Sequence, residues 1–478
     1  MGSIVGMGTH LGTPGPNSTL FPQREERERL NHWLTREMLN VVERIASGPV
    51  TPTLDLEAFR RELAEFDFVV PRPIDELMSW TVNKMETGLV HLTHPRYFGL
   101  FNPAPVFPAE CADRIVSAVN PQLASSATSP AAVEIEAHVI RAVARRAGLP
   151  MEASGHFTSG GSEANYTALL CALTRIEPRY AEHGARAFVG APVFYSSREC
   201  HIAWLKIAHQ VGIGRSALRL VATDGRGRLH PVALAAAIAA DRAQGRVPVM
   251  IVSTAGTTGA GAIDPLAECT QIARDLGLWH HVDAAWGGAV IASERLRGLL
   301  SGIEQADSIT IDAHKWFATT MGCGMFMTRH ADLLSSVFQV STTFMPSNVA
   351  GLDPYVNTAQ WSRRCLGLRL FLALAAVGWA GYAVHVERSV ALIGSLAAQL
   401  IALGWTVVNE PLLAVLCVEP PAGSAAVRKI VERVVASGRA WIAPARFEGR
   451  DVVRICATHG ESSDLDIAEL VDALQSAR

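Results

Sequence analysis

Five short apolar runs recur between residues 192 and 313: PVFYSS, LRLVAT, PVMIVST, WHHVDAA and SITIDA. Each closes on small or polar residues, and stretches of helical periodicity separate them. Strands this apolar have no face to offer water, so they predict a parallel sheet covered by helices on both sides. In an open sheet of that kind, ligands lie beyond the carboxyl ends of the strands. The runs place their histidines, aspartates, threonine and lysine at those ends, so the expected site is assembled from distant stretches. Further on, GWTVVN, LLAVLCVE and DVVRICAT read as strands, and Ser462 or Ser463 caps a last helix, DLDIAELVDALQSA. This predicts an α/β protein with a large, mostly parallel-sheet domain and a smaller α+β C-terminal domain. The expected division is 1–19 as a tail, 20–100 as a helical segment, 101–375 as the large domain and 376–478 as the small one. Helical periodicity fills 24–47 and 55–65 before Pro71 and Pro73 break it.

Composition narrows the function. The chain has 478 residues, 49% of them hydrophobic and 18% charged, enough for a large core. A net charge of -3 carries no basic excess, which argues against nucleic acid or an anionic membrane surface as partner. The most apolar run, 370–384, is shorter than the roughly 20 residues of a bilayer span and predicts a buried helix. The opening residues lack the basic and apolar regions of a signal peptide, and Gly6 stands where a myristoylation motif needs Ser or Thr. Eight cysteines without a C-x-x-C spacing suit reduced core residues of a cytoplasmic protein better than a disulfide framework or a zinc site.

Several residues have types and positions that carry chemistry. In FTSGGSEANYTALLCAL, Ser159, Gly160, Gly161 and Ser162 precede a helix, and free N–H groups at such a turn can seat a phosphate. The same pattern is ordinary helix capping. Asp283, closing WHHVDAA, needs a cationic partner if buried: a salt bridge, a helix cap, or a ligand's protonated ring nitrogen. His280, His281 and Asp283 make a poor metal set, since neighbouring strand residues face opposite ways. Lys315, after SITIDA, is either a surface lysine or an amine whose pKa is depressed for Schiff-base chemistry by desolvation and a second cation. His201 could lay its ring against a planar ligand, and His314 could donate to a phosphate. Thr254, Thr257 and Thr258 line another strand end. Taken together in chain order, a phosphate seat, a flat histidine, a carboxylate and a lysine describe a site for pyridoxal phosphate.

The motifs HPRYFG, SPAAVEIE, TSGGSEAN, AGTTGAGAIDP, HVDAAWGG and DAHKW together resemble those of the pyridoxal-dependent amino-acid decarboxylases related to the aromatic-amino-acid, glutamate and histidine enzymes. The resemblance runs from about residue 20 to the end. It implies the aspartate-aminotransferase fold, fold type I, and a homodimer with shared active sites. It makes Lys315 the Schiff-base lysine, Asp283 the partner of the pyridinium nitrogen, and His201 and Ala285 the contacts on the two ring faces. Gly161, Ser162 and His314 would hold the phosphate, with Thr254 near the ring or substrate. Asp312 falls where some members have asparagine and is expected to orient a neighbour. Arg363 and Arg364 match a basic pair with an expected structural role.

The sequence also departs from the aromatic enzymes. Phe344, in STTFMPSNVAGLDPY, stands where many decarboxylases have a proton-donating tyrosine, with Tyr355 as a substitute. In some relatives this change accompanies oxidative deamination to an aldehyde. Phe101 and Asn102, with Gln122 from the partner subunit, are expected at the substrate, where Asn102 replaces an aromatic. Three readings follow: decarboxylation of an L-amino acid, other Cα chemistry on the same scaffold, and cofactor binding without turnover. The intact set of Lys315, Asp283 and His201 argues against the last.

Overall fold

The computed structural model describes residues 20–52, 54–340 and 353–478. The chain divides into two compact units, 1–94 and 95–478. In the first, helices span Arg24–Ser47, Leu56–Ala64 and Ile74–Gly88. Asp55 caps the second by accepting from the N–H groups of Glu57 and Ala58. The third follows Pro73 and lies outside the predicted periodicity. None of these helices has a buried residue, and Leu39, Val42 and Leu56 are exposed.

The second unit is built on a seven-stranded sheet: β1 (Ser154–Thr158), β2 (Pro192–Ser197), β3 (Leu218–Val221), β4 (Val247–Thr254), β5 (Trp279–Asp283), β6 (Ser308–Asp312) and β7 (Gly324–Thr328), in the order β1-β7-β6-β5-β4-β2-β3. The five strands predicted from the apolar runs, β2 to β6, pair parallel throughout. Their alternation sorts side chains to two cores. Phe194, Met250 and Val252 pack among the helices Gly161–Ile176 and Ala203–Gln210, while Val193, Tyr195 and Ile251 pack against Leu234, Ile238 and Cys269. The two unpredicted strands, β7 and β1, are antiparallel additions at one edge.

A smaller antiparallel sheet, β8 (Thr406–Val407), β9 (Val415–Glu419), β10 (Ala443–Phe447) and β11 (Arg450–Cys456), has the order β10-β11-β9-β8. Ser463 forms a full capping box with Asp466 at the last helix, Asp464–Ser476.

The run 370–384 departs from expectation. It lies in a longer helix, Gly367–Ala402, which Gly378 breaks with φ 65° and ψ -179°. The helix is not buried all round: Leu370, Ala373 and Tyr382 are buried, but Val377 and Val384 are half exposed or more. By length and composition it could cross a membrane, yet it packs against the helices Phe107–Val119, Pro130–Arg146 and Asp464–Ser476. The expected domain boundary at 375/376 falls inside it, beside the kink.

Adjacent on β5, His280 and His281 face opposite ways as the strand period requires. His280 bonds Ser253 Oγ (2.8 Å) and Thr270 Oγ1 (2.9 Å), and His281 bonds Ser308 Oγ (2.8 Å) and Asn165 Oδ1 (3.0 Å). Burial lowers each from 6.5 to about 4. The unfolded chain therefore takes up these protons first. Their stabilising effect is complete above pH 6.5 and is lost as pH falls toward 4, at about 3 kcal/mol per histidine. Urea unfolding midpoints should drop across that window; midpoints flat from about pH 7 to about pH 4 would contradict this.

Candidate active site

The carboxyl ends of the parallel strands open on a cavity of about 320 Å³. Below it, β1 runs into Ser159 and Gly160, and the helix Gly161–Ile176 begins. Glu163 fixes this turn from the next helical turn: its Oε2 accepts from the Ser159 N–H and hydroxyl, both at 2.7 Å. Gln360 Nε2 in turn donates to both Glu163 oxygens, at 2.7 and 2.8 Å. A side chain at Gly161 would meet Asp312 Oδ2 at 2.8 Å, so the backbone can come this close only as glycine.

Beyond β6 the chain folds back on itself. The Lys315 N–H donates to the Asp312 carbonyl, Thr319 N–H to Ala313, and Ala318 takes a left-handed φ of 51°. This turn returns the Lys315 amine to Asp312 Oδ2 at 3.0 Å, with His314 Nε2 at 3.8 Å from the same oxygen. Asp312 is buried, and its Oδ1 has no partner. The acid of SITIDA therefore ion-pairs with the lysine three residues on.

Asp283 ends the neighbouring strand β5, buried and facing the same cavity. Its Oδ1 accepts from the Ala285 N–H (3.2 Å) and its Oδ2 from Asn165 Nδ2 (2.8 Å). The second bond opens a buried relay absent from the sequence expectations. Asn165 Oδ1 bonds His281 Nε2, His281 Nδ1 bonds Ser308 Oγ, and Trp279 Nε1 donates to that oxygen at 2.8 Å. Asn165 gives its NH2 to Asp283, so its Oδ1 accepts from His281 Nε2–H; the neutral ring's Nδ1 then accepts from the Ser308 hydroxyl, whose oxygen accepts from the indole. The members line up to hold the Asn165 amide with its NH2 on Asp283. The only sequence sign was an asparagine inside the helix, a type that usually prefers caps and turns.

His201 also lines the cavity; its Nδ1 accepts from the Ala203 N–H, leaving Nε2 protonated. Desolvation, and to a lesser degree the Lys315 charge, hold its pKa below the usual histidine value against Asp283. Gly161, Ser162, Thr254, Ala285, His314 and Phe101 share this lining. Phe101 stacks on Trp286 at 4.0 Å and Trp286 on Trp316 at 4.5 Å, a rigid aromatic wall. The buried Arg454 guanidinium sits 4.8 Å over Phe101 with Nη2 unpartnered, a cation the strand reading of DVVRICAT did not single out. Asn102 and Gln122 lie elsewhere in this chain: Asn102 contacts Met321 Sδ, and Gln122 donates to Ser362. Phe344 lies outside the described residues.

Comparison with known proteins fits this geometry. Residues 66–418 match the pyridoxal-dependent decarboxylase conserved domain. The L-2,4-diaminobutyrate decarboxylase of Rhizobium meliloti is 34% identical over 288 residues, covering 60% of this chain and 56% of that enzyme. The chain thus spans little more than half the length of that relative. The aromatic-L-amino-acid decarboxylase of Bacillus atrophaeus is 25% identical and covers 94% of each chain. The Oryza sativa TDC solved with PLP and tryptamine shares the fold, with a TM-score of 0.90, 23% identity and coverage of 97% of this chain and 99% of that one. The architecture is fold type I, and the chain belongs to the pyridoxal-dependent decarboxylase family.

Proposed function

We propose that the chain removes the carboxylate of an L-amino acid as CO2, a proton taking its place to give the amine, with pyridoxal phosphate held in the cavity described above. The observation that carries this reading is the arrival of a lysine amine and an aspartate carboxylate at the ends of adjacent strands, facing one cavity whose far side is the Gly161 turn. The set fits the cofactor. The turn offers helix N–H groups to a phosphate, Lys315 offers an amine to an aldehyde, and Asp283, oriented by two donors, offers an acceptor to a ring nitrogen. When bound, the cofactor supplies the electron sink for the breaking Cα bond.

The protein's own residues then orient and polarise. Lys315 would hold the cofactor's aldehyde through its amine. Asp312, 3.0 Å from the amine, orients the lysine in the free site. Asp283 would pair with the ring nitrogen, His201 and Ala285 would contact the ring, and Thr254, with its unpartnered hydroxyl, lines the same cavity. Ser162, Gly161 and His314 take the phosphate. Phe101 forms part of the substrate wall. Asn102, Gln122 and Phe344 belong to the substrate reading as well, Gln122 through the partner subunit.

A homodimer accounts for the exposed apolar residues of the first unit, Leu39, Val42 and Leu56, which otherwise face water. The eight unpaired cysteines suit a reducing, cytoplasmic setting. The helical segment and the small C-terminal domain remain, in this reading, the division given by the sequence.

Assays with individual L-amino acids should release CO2 and amine in equal amounts. Ammonia, peroxide and aldehyde in place of amine would instead favour oxidative deamination, the chemistry suggested by Phe344. The relay gives a separate prediction. Asn165→Leu leaves Asp283 Oδ2 without its donor, so cofactor affinity should fall about 10- to 100-fold, read as a weaker dissociation constant by absorbance titration. Unchanged affinity would remove the relay from the account.

A further inference from the structure

The turn between β1 and the helix Gly161–Ile176 is gripped by a stretch of chain that does not line the cavity. Residues 360–363 lie between the short helix Pro354–Val356 and the long helix Gly367–Ala402. At one end of this stretch Arg363 Nη2 donates to the Phe157 carbonyl at 2.8 Å and to Glu136 Oε1 at 2.6 Å. At the other end Gln360 Nε2 donates to Glu163 Oε1 and Oε2, at 2.7 and 2.8 Å. The turn is thus held on both sides, by Arg363 on the strand that enters it and by Gln360 on the helix that leaves it. The stretch is itself anchored, since the Arg363 carbonyl accepts from the Leu123 N–H at 3.1 Å.

Glu163 gives the second grip an electrostatic meaning. It lines the cavity beside Gly161 and Ser162, the residues that would take the phosphate. A carboxylate is drawn to the same helix N–H groups as a phosphate, and beside a bound phosphate it repels. Where its charge is held therefore decides how good the seat is. Oε2 accepts from the Ser159 N–H, the Ser159 hydroxyl and Gln360, and Oε1 accepts from Gln360. Ser159 belongs to the turn and moves with it. Gln360, 197 residues along the chain, is the donor that fixes the carboxylate against a separate part of the fold.

We propose that Gln360 is a positioning residue for the phosphate seat: by tying Glu163 to Ser159, it keeps the carboxylate from competing with the cofactor's phosphate for the N–H groups at Gly161 and Ser162. The inference rests on the pyridoxal phosphate reading of the cavity. Gln360 itself does not line that cavity and acts through Glu163.

Pyridoxal, the same ring and aldehyde without the phosphate, separates this role from a general loosening of the fold. The full chain, freed of cofactor, is titrated with pyridoxal phosphate and with pyridoxal while the visible band is followed. Gln360→Leu removes both bonds to Glu163. It should weaken pyridoxal phosphate about 10-fold or more and leave pyridoxal within about 2-fold of the wild type. Gln360→Glu sets carboxylate against carboxylate and should weaken pyridoxal phosphate at least as much. Gln360 is partly exposed, so both single variants should fold. Combining Gln360→Glu with Glu163→Gln exchanges donor and acceptor, and should return pyridoxal phosphate affinity to within about 3-fold of the wild type. Equal losses for the two ligands in Gln360→Leu would reduce the residue to a structural role and overturn the inference. Unchanged pyridoxal phosphate affinity in both single variants, or no recovery in the exchanged pair, would overturn it as well. A wild-type chain that forms no band with pyridoxal phosphate would remove the reading of the cavity and this inference together; a normal wild-type band with an indifferent Gln360→Leu would remove this inference alone.

Discussion

Lys315→Ala should abolish turnover, by several orders of magnitude in kcat, and remove the visible absorbance of bound cofactor. Four lysines occur in the chain, at 84, 206, 315 and 429, and of these Lys315 alone lines the cavity. Among the described residues no other amine lines this cavity. The alanine variant also strips the buried Asp312 of its partner at 3.0 Å, leaving the His314 ring at 3.8 Å, so some loss of stability is expected alongside the loss of activity. Lys315→Arg separates the two effects. A guanidinium can keep the charge against Asp312, yet it cannot form the covalent link, so the arginine variant should unfold near the wild-type midpoint and remain inactive. Turnover within about 10-fold of wild type in either variant would be incompatible with the covalent role.

Asp283→Ala should be the next most damaging change, lowering kcat by about 10²- to 10³-fold, the scale seen when a preorganised electrostatic contact to the reacting system is removed. The reason is local. The carboxylate stands at the end of β5 with the Ala285 N–H on one oxygen and Asn165 Nδ2 on the other, both aimed at a negative charge. Asp283→Asn keeps the shape but inverts one of these contacts, since its amide must present either NH2 to the Asn165 donor or NH2 to the Ala285 N–H. It also carries no charge to keep a ring nitrogen protonated. The asparagine variant is therefore expected to be nearly as impaired as alanine in kcat and to hold the cofactor more weakly, by direct titration. An asparagine variant with wild-type kcat would show that a protonated ring is not part of the chemistry.

How much of this was legible beforehand follows from which forces act locally. The strands β2, β4, β5 and β6 announce themselves because burial on both faces demands uninterrupted apolar residues, and their ends mark the site because that is where polar residues resume; β3, at the sheet edge, departs from this and leaves Leu220 exposed. β1 and β7 did not, because SGHFT is short and mixed and GMFMT carries a glycine; their pairing is fixed by contact with each other and with β6. The helix Ile74–Gly88 was hidden behind the prolines that precede it. The run 370–384 looked like a buried helix because composition reports apolarity and not which face is covered; the structure buries one stripe and leaves Val377 and Val384 outside. In the site, Lys315, Asp283, His201, Gly161, Ser162, Thr254, Ala285, His314 and Phe101 come together from the strand ends and adjoining turns. The relay through Asn165, His281 and Ser308 was not legible, because it joins three elements far apart in the chain and depends on which way each side chain points.

The covalent claim has one direct measurement. The holoenzyme is reduced with borohydride, digested, and its lysine-bearing peptides weighed. Lys206 is exposed on the surface and Lys429 keeps 66% of its side chain in solvent, so neither has the enclosed setting of Lys315. A stable cofactor adduct on the peptide containing Lys315, with those of Lys84, Lys206 and Lys429 unmodified, is the result expected. An adduct carried by one of the other three, or none on any peptide, would contradict the account at its centre.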